Sequence, residues 1–184
     1  MSSPDVYVDG NEAISNLAFN EITGYIALPA GTYDVQVFPA SADGAGTPVI
    51  AATLTLDAGN DYTVAAVGRL AEIEPLVLVD NNTAPAVGKA HLRFVHASPN
   101  APAVDIAAVG AGVVIANAPF KAASDYLPLD AGTYNSQVLA AGTSTVALDL
   151  PGITLAAGNV YTAFATGLLG ESPADGLRHR LRAH

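Results

Sequence analysis

The residues with the most chemical potential lie in one run at mid-chain, RFVHASPNAPAVD (Arg93–Asp105), where a histidine, a serine and an aspartate fall close together. His96, Ser98 and Asp105 are the side-chain types of a nucleophile–base–acid relay, which requires mutual hydrogen bonding and an oxyanion hole. Their setting argues against one. Ser98 precedes Pro99, as a turn residue does, and no Gly-x-Ser-x-Gly elbow occurs anywhere in the chain. A related run near the start keeps the aspartate, as Asp5, without the His-Ala-Ser. The sequence therefore gives these residues structural roles at the opening of a domain, with His96 bonding loop backbone, and it offers no catalytic residue.

Metal chemistry has two sources here. His91 and His96 are an odd number of positions apart and so point to opposite faces of a strand, where they cannot share an ion. His179 and His184 in the C-terminal tail make no better pair, and without cysteine there is neither a thiolate site nor a disulfide. Oxygen ligands are more promising. Asp80, Asn81 and Asn82 stand together, with Asp105, Asp57 and Asp61 in nearby loops, and calcium takes several such oxygens. The same residue types build turns, no loop has EF-hand spacing, and both readings stay open. No other cofactor is expected: DGAGTP (Asp43–Pro48) lacks the lysine and helix of a phosphate loop and reads as a hairpin loop.

The elements that position these residues come in two copies. DVYVDGNEAISNLAF (Asp5–Phe19) returns as DIAAVGAGVVIANAPF (Asp105–Phe120), and YIALPAGTYDVQV (Tyr25–Val37) as YLPLDAGTYNSQV (Tyr126–Val138). LTLDAGNDYTVAAVG (Leu54–Gly68) returns as ITLAAGNVYTAFATG (Ile153–Gly167). Order and spacing hold throughout, which marks a tandem repeat. Each copy alternates apolar and polar residues between Gly, Pro, Asn and Asp punctuation, the pattern of short strands. About seven strands per copy predict two immunoglobulin-like β-sandwiches. The first spans 1–80, the linker 81–90 and the second 91–184.

Leu-x-Ala-Gly-x-x-Tyr occurs twice, through Gly59 to Tyr62 and Gly158 to Tyr161. It has the form of a tyrosine corner, in which the hydroxyl bonds to backbone a few residues upstream while glycine makes the turn. The alternative is a stacking platform for sugar rings; the structural reading is preferred.

Composition narrows the partners. The 184 residues carry 17 acidic and 7 basic side chains, net −10, and three of the basic ones, Arg178, Arg180 and Arg182, sit near the C-terminus. The remaining body is near −13 and repels phosphate backbones, so nucleic acid is not an expected partner. No apolar run reaches membrane-span length, so no membrane insertion is expected. The opening MSSPDVYVDG has no signal-peptide shape and looks like an initiator Met joined to the interior of a domain, as if the chain had been trimmed.

LRFVHASPNAPAVDI, followed by Y-L-x-L-x-A-G-T-Y and L-x-A-G-x-x-Y-T, resembles the DUF4397 family over nearly the whole chain, as two tandem copies. The resemblance implies an exported or cell-surface protein and supplies no catalytic residues. Two departures matter. The family's opening strand, here Leu92–His96, has no counterpart before SSPDVYV in the first copy, which exposes a strand slot that something should fill. The second copy ends in Leu177, His179 and Leu181 alternating with arginines, either a strand with one basic face or a frayed tail. The expected function is a non-catalytic structural or adhesion module that assembles with itself or other surface proteins by strand complementation. Polysaccharide binding stands second and a hydrolase third.

Overall fold

The structure, a computed structural model, describes residues 3–39, 42 and 44–170, and the backbone of 178–183. Its regular structure is β apart from one short 3-10 turn, and the chain divides into two units, Met1–Asp80 and Asn81–His184.

The second unit holds β7 (Lys89–His96), β8 (Val104–Ala108), β9 (Gly112–Ala118), β10 (Leu127–Asp130), β11 (Gly132–Ala140), β12 (Val146–Leu155), β13 (Val160–Thr166) and β14 (Arg178–Ala183). They form two four-stranded sheets, ordered β10-β7-β13-β14 and β12-β11-β8-β9. Alternating apolar residues of both sheets meet in one core: Phe94 and Ala165 from the first sheet pack with Val104, Ala118, Val138 and Leu150 from the second. Burying one such Val or Leu contributes about 1.5–3 kcal/mol. This is the expected immunoglobulin-like sandwich, an architecture shared by domains that differ in strand order. Here β7 and β13 are neighbours and run parallel, from Val160 beside His91 to Ala165 beside His96.

One boundary differs in detail from the sequence expectation, and one open reading is decided. β7 begins at Lys89, inside the stretch assigned to the linker, because Lys89 and Ala90 pair with Asp130 and Leu129 and Ala90 is fully buried. Of the two readings of the basic end, the backbone takes the strand: β14 pairs antiparallel with β13. The side chains of that strand, including the proposed basic face, and Leu177 and His184 lie outside the described residues.

The first unit contains β1 (Asp5–Val8), β2 (Asn11–Ile14), β3 (Gly31–Phe38), β4 (Ile50–Leu56), β5 (Asp61–Val67) and β6 (Glu74–Asp80). The sheet β2-β1-β3-β4 repeats β9-β8-β11-β12 strand for strand. Its β1–β2 hairpin turns through Asp9 and Gly10, both at positive φ (49° and 76°), as the two-residue Asp-Gly turn requires. The other sheet has only β5 and β6, the counterparts of β13 and β14. Among the described residues no strand pairs with the second edge of β5, and residues 26–29, the counterpart of β10, join no ladder. One cause covers both. In the second unit β10 hydrogen-bonds to β7, and among the described residues the first unit has no strand in that place for its counterpart to pair with.

Candidate functional site

His96, Ser98 and Asp105 are brought near each other by β7 and β8, yet none of the three side chains bonds another. His96 is fully buried and spends both ring nitrogens on the loop that joins these strands. The Ser98 N–H donates to Nδ1 at 3.3 Å, which leaves the ring proton on Nε2 to donate to the Pro102 carbonyl at 3.1 Å. Burial lowers its pKa below 6.5, against a smaller upward pull from these backbone bonds. Ser98 Oγ is buried and makes no hydrogen bond to another described residue. Asp105 accepts from the backbone N–H of Asn117 at 2.7 Å and of Gly142 at 2.8 Å. These bonds, Asn117 first, hold its carboxyl below its ordinary 3.8. The first unit repeats the device: Asn16 N–H donates to Asp5 at 2.7 Å, and Asn16 and Asn117 share a positive φ (53° and 51°). The retained aspartate thus serves to hold a left-handed turn.

The corner tyrosines likewise serve the backbone. Tyr161 Oη accepts from Ala156 N–H at 3.0 Å and Asn159 Nδ2 at 3.2 Å, while Tyr62 Oη accepts from Asp57 N–H at 3.1 Å and Asn60 Nδ2 at 3.3 Å. Gly59 and Gly158 make the turns at φ 77° and 82°, where a side chain would be strained. A second pair, Tyr33 and Tyr134, donates to the carbonyls of Pro29 and Asp130 at 2.7 and 2.6 Å.

The oxygen residues considered for calcium are engaged separately. Asn81 Oδ1 caps a turn by accepting from Thr83 N–H at 3.0 Å. Asp105 is occupied as described, and Asp57 sits in the corner of Tyr62. Among the described residues no three His, Asp or Glu side chains gather as a metal site would require.

The most unusual surface is the second edge of β5. Its sequence, DYTVAAV, matches VYTAFAT of β13, but the two strands lie in different surroundings. Of the six β13 residues beside β7, five are buried, Val160, Tyr161, Thr162, Phe164 and Ala165, whereas in β5 Asp61, Val64 and Ala66 are exposed, Val64 by 45%. Ile26 and Leu28 of the first unit are exposed as well, where their counterparts Leu127 and Leu129 are partly covered.

Within that exposed zone is one polar cluster. Asp80, 8% exposed at the end of β6, accepts from Tyr25 Oη at 2.6 Å and from Thr63 Oγ1 at 2.6 Å. The counterparts of those two donors in the second unit do something different. Thr162 accepts from Arg93 Nη2 of β7 at 3.0 Å, and the Arg93 guanidinium lies 4.7 Å from the Tyr126 ring centroid. Sequence reading singled out Asp80 only as a metal ligand and did not single out Arg93, Tyr25 or Thr63. The signal was present in the repeat, which keeps a tyrosine at 25 and 126 and a threonine at 63 and 162.

Among curated proteins none matches this chain. Its family is nevertheless clear, because residues 2–107 and 108–177 both match DUF4397, a domain of unknown function, and the chain belongs to that family.

Proposed function

We propose that the chain is a non-catalytic structural or adhesion module of the cell exterior, which joins its neighbours by taking up a β-strand along β5. The observation that carries this reading is the contrast between β5 and β13: one repeat sequence, covered by a strand in one unit and exposed in the other. An open edge with apolar residues beside it is a template for strand addition, in which backbone hydrogen bonds supply affinity and side-chain seats supply selectivity. The family segments lend support. The first runs to residue 107 and so carries β7 and most of β8 together with the first unit, which shows that the family pattern does not stop where the fold unit does.

The non-catalytic part of the reading is supported by His96 and Asp105 being spent on backbone. Polysaccharide binding, the second reading, calls for an exposed aromatic platform. The corner tyrosines are tied to their own turns, which favours assembly. The surface setting is tested by fractionating the native cells.

The assembly test is mass in solution by light scattering across a dilution series. We expect the mass to rise above that of the monomer with concentration, and Val64→Lys, a charge set on the exposed edge, to return it to the monomer. A wild-type chain that stays monomeric throughout the micromolar range overturns the reading.

A further inference from the structure

We infer that the open edge of the first unit selects its strand by an aromatic anchor: it takes a basic strand laid parallel to β5, with a phenylalanine beside Val64 whose ring covers the inner face of that unit. This rests on the strand-addition reading and names the partner, a strand of the β7 kind from another repeat of this family.

The second unit supplies the template. There β7 lies parallel to β13 with Leu92 beside Tyr161 and Phe94 beside Ala163. Residues side by side in such a ladder share a face, here the inner one. Phe94 packs with Val138, Ala163 and Ala165, and Leu92 packs with Tyr161. The repeat carries Val138, Ala163 and Ala165 to Val37, Val64 and Ala66 of the first unit. Each position is less covered there. Val138 is completely buried and Val37 only partly, Ala163 is partly covered and Val64 exposed, and Ala165 is buried and Ala66 exposed. Val77 of β6, directly across the ladder from Val64, is exposed too, so the two valines form an apolar strip on one face of the pair. In the second unit Phe94 is the residue that ties β13 to the facing sheet. A β7-type strand in the same register sets that ring beside Val64 and its leucine beside Tyr62. The ring then removes its own apolar surface and that of the strip from water, whereas a small polar residue in its place leaves the strip wet. Charge points to the same kind of strand. Residues 1–80 hold eleven of the 17 acidic residues and one of the 7 basic ones, Arg69, while β7 carries Lys89 and Arg93 and no acid. A strand with that balance is drawn toward the acidic unit and reaches its edge faster.

The test uses the full chain and the labelled peptide KAHLRFVHAS, the sequence of Lys89–Ser98, with binding read by fluorescence anisotropy. We expect saturable binding, weakened about tenfold or more by Phe94→Ser in the peptide, the loss expected when a buried aromatic contact is removed. A peptide of the same composition in scrambled order, which keeps the charge and loses the register, should bind as weakly. Val64→Ser in the protein, a change at an exposed position, should weaken the native peptide and leave the Phe94→Ser peptide little changed, the mark of a direct contact. The peptide variants leave the protein untouched, so the result stands even if Val64→Ser folds poorly. Native and Phe94→Ser peptides that bind equally overturn the aromatic anchor while leaving strand addition intact, and a scrambled peptide that binds as well as the native one overturns it by showing that charge alone suffices. A chain that self-associates in a Val64-dependent manner yet binds none of the peptides also overturns the anchor, since its edge then accepts a strand of another kind.

Discussion

His96 shows how a reactive side chain becomes a fixed part of a loop. With an N–H donating to Nδ1 and the Nε2 proton donated to a carbonyl, the neutral ring satisfies both bonds, and a second ring proton would face the Ser98 N–H. Burial acts in the same direction, so the folded-state pKa lies below 6.5. The sign of the pH dependence follows. When the folded pKa is lower than the unfolded one, the unfolded chain binds the extra proton first as pH falls. The stability due to neutral His96 is therefore complete above 6.5 and is lost as pH drops from 6.5 toward the folded value. We expect urea midpoints of the wild-type chain to decline over that window, and His96→Gln, less stable at neutral pH, to show a shallower decline. Equal slopes in the two proteins would remove His96 from the account. Asp105 acts lower on the pH scale with the same sign, because its carboxyl is also held below its ordinary value.

At the scale of elements, the tyrosine corner is the clearest case of a short motif dictating a turn. The hydroxyl of Tyr161 anchors the backbone N–H of Ala156 across the β12–β13 connection, with the ring buried beside Ala90 and Leu155. Tyr161→Phe keeps the ring and removes the acceptor, so it should cost about 1–3 kcal/mol in urea unfolding, the penalty of leaving a partly buried donor unpaired. Tyr62→Phe should cost less, since its corner is more exposed and water can replace the hydroxyl. A Tyr161→Phe protein as stable as wild type would deny the corner its role. Such corners, the hairpin at Asp9-Gly10 and the repeat itself were legible in the sequence because each depends on a local backbone constraint recorded by residue type. That no strand pairs with the second edge of β5 among the described residues was legible for the same reason, through the strand at Leu92–His96 in the second copy. The cluster of Tyr25, Thr63 and Asp80 was not, because it forms between residues far apart in the chain. Asp80 beside Asn81 and Asn82 looks like a ligand set until the fold turns its carboxylate toward two hydroxyls and gives Asn81 a turn to cap.

For the molecule as a whole, two units drawn from one repeat hold unequal shares of the stabilising burial. In the second, apolar residues from both four-stranded sheets converge on Val138, which is completely buried. In the first, among the described residues, only Phe38, Ile50, Val67 and Leu78 are buried apolar side chains, and the sheet of β5 and β6 has two strands. Because hydrophobic stabilisation scales with the apolar area removed from water, the first unit should unfold at lower denaturant than the second. We expect urea unfolding of the full chain, followed by circular dichroism, to proceed in two steps. Val67→Ala should shift only the earlier step and Val138→Ala only the later, each by about 2 kcal/mol for a buried methyl-bearing side chain cut to Ala. A strand peptide that binds β5 should raise the earlier midpoint and leave the later one in place, since ligand affinity for the folded form adds to the stability of the unit that holds it. If both variants instead move one shared transition, the two repeats unfold as a single cooperative body, and the open edge of β5 is then stabilised by the rest of the chain and has no need of an incoming strand.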